Sequence, residues 1–121
     1  MISLKATDCT SGNDLALNLA VADTLFTRLK GLLGRNDLPA GEGLWIKPCN
    51  SIHTFGMKFP IDVVFLDKGK RVVGVAKALR PNRISRIYAG ANSVIELPAG
   101  TIDAAGSCVG NEVEIDGVFK I

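Results

Sequence analysis

The sequence predicts a β-rich α+β domain: a curled antiparallel sheet, or partial barrel, carrying one main short helix. Three observations support this. Runs rich in Val and Ile recur along the chain and end at turns marked by Gly or Pro. Gly numbers 13 while Phe, Trp and Tyr total only seven, a balance that suits short strands joined by tight turns. One main stretch, from about Thr24 to Leu33, combines helical spacing with cap residues.

Taken in order, Ile2 to Lys5 and Leu15 to Val21 read as strands. Ser11-Gly12-Asn13-Asp14 is the turn of an opening hairpin. Leu15, Leu17, Leu19 and Val21 alternate, which places them on one side of the strand. Asp23 reads as an N-cap. Leu25, Leu29, Leu32 and Leu33 follow at helical spacing, and Gly34 stands where a left-handed cap closes a helix. Leu44 to Ile46 is a short strand ended by Pro48. Ile61 to Leu66 and Arg71 to Leu79 form a hairpin around Asp67-Lys68-Gly69-Lys70, with Gly69 at a position that can take positive φ. Ser93 to Leu97 is a further strand, a single helical turn starts near Thr101, and Asn111 to Ile115 is a late strand. Short connections favour antiparallel pairing throughout.

At 121 residues, one domain spanning 1–121 is expected. With 47% hydrophobic and 21% charged residues, the chain should bury a core without disulfides or a structural metal. A net charge of +2 is too small to imply a nucleic-acid partner. No run approaches the apolar length of a membrane span, and the first residues lack a signal-peptide pattern. Three scattered cysteines, Cys9, Cys49 and Cys108, form no C-x-x-C pair. That usage suits a reducing, cytoplasmic setting. The charge is uneven: Lys68, Lys70, Arg71, Lys77, Arg80, Arg83 and Arg86 occur with no acid among them. They read as a solvated face or as a docking surface for an acidic partner.

Distinctive chemistry concentrates in Cys49 to Asp67, C-N-S-I-H-T-F-G-M-K-F-P-I-D-V-V-F-L-D, which holds the single His. If the segment is extended, Cys49, Ser51, His53 and Phe55 share one face. Cys49 and His53 then lie about 13 Å apart, and Ser51 and His53 roughly 7 Å. A nucleophile–imidazole contact therefore needs a bend in the chain. One His with one Cys falls short of a zinc site, so no metal or cofactor is expected. His53 reads either as a half-buried ring packed on Phe55 or as part of a ligand wall. Asp62 and Glu96 each sit between apolar strand residues, where an unpaired carboxylate is costly. Arg28 is the natural partner. Arg28, Asp62 and Glu96 then form a structural network. Alternatively, Arg28, His53 and Asp62, with Cys49 near, line a small pocket for a polar or anionic ligand.

Three blocks carry a family resemblance: R-L-K-G-L-L-G-R at Arg28 to Arg35, S-I-H-T-F-G-M-K-F-P-I-D-V-V-F-L-D at Ser51 to Asp67, and I-E-L-P-A-G at Ile95 to Gly100. Their order and spacing resemble the bacterial and archaeal family catalogued as domain of unknown function 192, in its H-T-F-G-M branch. The resemblance runs from about Asp8 to Ile115. It implies a compact β-rich fold and no particular chemistry. The leading expectation is a small soluble binding or accessory module with a polar site near His53 and Asp62. The alternatives are a hydrolase-type enzyme using a Cys/Ser–His pair or a metal, and a protein-interaction domain using the basic 68–86 face.

Overall fold

Strand-forming runs separated by Gly, Pro and Asx turns become seven strands and two short helices in the computed structural model, which describes residues 2–119. In chain order these are β1 (Ile2–Asp8), β2 (Asn13–Ala22), α1 (Leu25–Lys30), β3 (Glu42–Ile46), β4 (Ile61–Leu66), β5 (Val72–Leu79), β6 (Ser93–Pro98), α2 (Thr101–Ala105) and β7 (Val113–Phe119). The strands form one sheet in the order β5-β4-β6-β3-β2-β1-β7, curled into a half-barrel. This is the β-rich α+β class that the sequence predicts. One pairing differs: β2 and β3 run parallel, with Asn18 opposite Glu42 and Ala22 opposite Ile46. A parallel pair needs a crossover rather than a tight turn, and residues 23–41, with α1 inside them, supply it. Among the described residues no helix is long and apolar enough to cross a membrane.

Strand periodicity divides the core between the two faces of the sheet. Val64, Leu66, Ile95 and Leu97 pack with Leu15, Leu19 and Ile102 on the α2 side. Val63, Phe65 and Val94 pack with Leu32, Leu44 and Ile46 on the other. Every residue of β4 is buried, because β4 lies between β5 and β6 and both of its faces are covered.

Three local expectations are corrected. Leu17 is 50% exposed, although it alternates with Leu15 and Leu19. The β1–β2 register shifts there, and the amides of Leu17 and Asn18 both donate to the Gly41 carbonyl, at 2.8 and 2.9 Å. That bulge turns Leu17 outward. The helix is shorter than Thr24 to Leu33. Thr24, not Asp23, is its N-cap, in a reciprocal box with Thr27, and Gly31 closes it. No α1 residue is buried: Leu25 and Leu29 are each 67% exposed and Phe26 74%. Leu32, beyond the helix, is buried in the core, and Leu33 packs against it half-buried. In the β4–β5 turn, Lys70 rather than Gly69 takes positive φ. Asp67 Oδ1 holds that turn by accepting the Gly69 and Arg71 amides, both at 2.9 Å.

Candidate functional site

Glu96 lies in the middle of β6, and its alternation with Ile95 and Leu97 turns it to the same face as Val94. Leu44 of β3 and Val63 of β4 flank it across the sheet. Its side chain is 3% exposed and makes no hydrogen bond to any described residue. Burial raises its carboxyl to about 7, because a low-dielectric setting disfavours the charged form.

The C-terminal end of α1 lies over this carboxyl. Gly31 has φ +47°, and a Cβ placed there would stand 3.9 Å from Glu96 Oε1 and 3.8 Å from the Arg28 carbonyl. Arg28, in the last turn of α1, donates from Nη1 to the Pro48 carbonyl at 3.4 Å. Its buried Nε has no partner among the described residues. Cys49 is half-buried, and its thiol donates to the Ser51 carbonyl at 3.1 Å. Burial pushes that thiol up, and the Glu96 carboxylate adds to the effect while the Arg28 guanidinium opposes it. Cys49 therefore lies in the fields of both groups.

Together these residues line a half-open cavity of about 140 Å³. Arg28, Lys30, Cys49, Ser51, His53 and Glu96 supply its polar wall, and Leu32, Ile46 and Met57 part of its apolar one. The 50–54 wall is held from outside by residues 80–88. The Ser85 amide donates to Ile52 O at 2.8 Å, the Tyr88 amide to Asn50 O at 2.9 Å, and Thr54 Oγ1 to Arg80 O at 2.6 Å. Three other hollows, of about 280, 230 and 350 Å³, are lined by no buried carboxyl.

The expected residues therefore divide between two places. Arg28, Cys49 and His53 meet at the cavity, and Glu96 joins them. Asp62 does not. It pairs with Leu97 rather than Glu96 in the β4–β6 register, so it faces α2 across the sheet. There it accepts the Ala78 amide at 2.8 Å, the Gly100 amide at 3.1 Å and the Ile102 amide at 2.9 Å. The network of Arg28, Asp62 and Glu96 is not formed, because successive strand positions point to opposite faces. Three backbone donors satisfy Asp62 in place of a guanidinium.

His53 is exposed rather than half-buried. Its ring stacks on Phe55 with centroids 5.4 Å apart, and its Nδ1 accepts the Phe55 amide at 3.3 Å. Neither Cys49 nor Ser51 pairs with it: Ser51 Oγ lies 3.3 Å from Ser85 Oγ instead. Among the described residues no three His, Cys, Asp or Glu side chains are placed to hold one metal ion, those at the cavity included. Of the basic run, Arg71 pairs with Glu112 and Lys77 with Asp103, each at 2.7 Å. Sequence reasoning missed Gly31 as a cavity residue and Asp8 as a buried hub. Asp8 accepts the Thr10 and Ser11 amides, Ser107 Oγ and Asn111 Nδ2. The D-C-T-S run is an Asx-turn signature that points to the first two of these bonds.

A half-barrel with a carboxyl-floored cavity beneath a short capped helix is the class that fold and site define. The chain belongs to the family catalogued as domain of unknown function 192, described as "Uncharacterized ACR", which matches residues 6–115. It is 34% identical over 110 residues to a UPF0127 protein of Thermococcus sibiricus, covering 87% of this chain and 70% of that one. It is 30% identical to a UPF0127 protein of Pyrococcus furiosus, covering 87% and 92%. Among solved structures, a protein of unknown function from Novosphingobium aromaticivorans superposes with a TM-score of 0.79 at 24% identity, covering 93% of this chain and 83% of that one. A Sinorhizobium meliloti protein gives a TM-score of 0.78 at 19% identity, covering 94% and 93%. These likenesses show the fold.

Proposed function

We propose that the chain is a small-ligand binding module whose site is the cavity above Glu96. The observation that carries this reading is a buried carboxyl with no partner among the described residues, opening into a hollow whose wall also holds an incompletely bonded guanidinium. Buried polar groups are normally satisfied within the fold. One left open at a cavity is suited to a ligand that supplies the missing bond. A volume of about 140 Å³ suits a ligand of about benzene size. The lack of a Cys–His or Ser–His contact favours binding over nucleophilic hydrolysis. Three free cysteines support a cytoplasmic setting.

A thermal-shift screen of small metabolites tests this reading. A ligand at 100 times its Kd stabilises the fold by about 2.7 kcal/mol. Hits should raise the Tm of the native chain and lose that effect in Glu96→Gln. Hits indifferent to Glu96 would place the site elsewhere.

A second reading, docking of an acidic protein on the basic segment, is supported by Arg83 and Arg86 alternating with Ile84 and Ile87, each Ile 69% exposed. Charge reversal at Arg83 and Arg86 should abolish such docking and leave cavity binding intact.

A further inference from the structure

We infer that the cavity takes a small zwitterion, with an ammonium group on Glu96 and a carboxylate on Arg28, in the manner of a free amino acid with a short side chain. The inference rests on the reading of this cavity as a ligand site and adds the chemical class.

Both charged groups line the same hollow, and no ion pair or hydrogen bond joins them among the described residues. Cys49 stands in the field of both, with the two acting on its thiol in opposite directions. The site therefore presents two poles that the protein itself does not bring together.

Each pole selects an end of the ligand. At Glu96 a neutral donor supplies a hydrogen bond, but a cation also offsets the loss of solvation that lifts this carboxyl to about 7. At Arg28, Nη1 is engaged at 3.4 Å, and Nε has no partner among the described residues. A guanidinium with spare donors fits a carboxylate through its planar fork. A ligand with a single charge meets one pole favourably and is repelled by the other. A ligand with both charges is attracted at both ends. Leu32, Ile46 and Met57 leave an apolar wall for a short aliphatic part. The volume of about 140 Å³ has room for a molecule of roughly benzene's size.

The experiment is a titration of the ¹⁵N-labelled full chain near neutral pH, followed through the amides of Gly31, Cys49 and Ser51. Glycine, L-alanine and L-serine are the zwitterions. Propionate, ethylamine and propan-2-ol are the matched anion, cation and neutral probe. At least one zwitterion should bind about tenfold or more tightly than every matched probe, and Glu96→Gln and Arg28→Met should each lower that affinity by a similar factor. Because the panel is compared on the native chain, the outcome stands even if a variant fails to fold. Equal or tighter binding of propionate, ethylamine or propan-2-ol overturns the zwitterion and leaves the ligand site standing. If no probe moves these amides, the zwitterion falls. If a broad fragment library then moves none of them either, the ligand-site reading falls with it.

Discussion

Asp62 Oδ2 accepts the Ile102 amide at 2.9 Å, so a carboxylate at the start of β4 caps the first turn of α2. The same side chain holds the Ala78 amide at 2.8 Å, where the β4–β5 register shifts and Ala78 takes φ +48°. Asp62 is 1% exposed, and removing it strands three buried or part-buried donors. Asp62→Ala should therefore cost roughly 3 kcal/mol or more. Urea denaturation measures this, and a cost below about 1 kcal/mol would mean that water replaces the carboxylate there.

His53 should be nearly neutral for stability. Its ring is exposed and its one bond is to the amide two residues on. His53→Ala should shift stability by about 0.5 kcal/mol or less, the usual range for a surface site. A loss of several kcal/mol in the same denaturation experiment would reinstate a core histidine.

Gly74 is a position where a side chain has no room. A Cβ there would overlap the Tyr88 ring, which stacks on Phe65 with centroids 3.9 Å apart. The Tyr88 amide also holds Asn50, next to the cavity wall. Gly74→Ala should cost about 1–3 kcal/mol through overpacking. It should also broaden or shift the amide signals of Cys49 and Ser51. Unchanged spectra would show that Tyr88 moves aside without disturbing the wall.

The two strands of the β4–β5 hairpin were legible because apolar runs, Asp67 and a short connection all agree. Residues whose role depends on non-local pairing were not. The i, i+4 spacing of Leu25 and Leu29 is the same whether that face meets a core or solvent. Leu17 keeps its place in the alternation, and only the Gly41 carbonyl across the sheet reveals the bulge. Asp62 and Glu96 look alike in sequence, each between apolar strand residues. The β4–β6 register sends one to backbone amides and the other to a cavity. Residue type and sequence pattern singled out Arg28, Cys49 and His53, and these three line one cavity. The openness of the site was not legible, since it depends on what Gly31 leaves unfilled above Glu96.

Burial of Glu96 should make stability depend on pH with a definite sign. Its carboxyl titrates at about 7 in the folded chain against an ordinary value of 4.5. Between those values the folded state holds the extra proton, so stability falls as pH rises through the window. The full difference corresponds to about 3 kcal/mol. Glu96→Gln should remove that contribution, so the variant gains on the native chain between pH 5 and 8. Chemical denaturation of both proteins across this range checks it, and parallel curves would contradict it. Asp8, held below its ordinary 3.8, acts only below this window.

The most direct measurement of the central claim, that Glu96 is a buried carboxyl with no partner among the described residues and stands on a ligand cavity, is a pH titration of its side-chain carboxyl carbon by ¹³C NMR. The structure predicts a midpoint of about 7 in the ligand-free protein. A midpoint near the ordinary 4.5 would show a solvated or paired carboxylate and contradict the account.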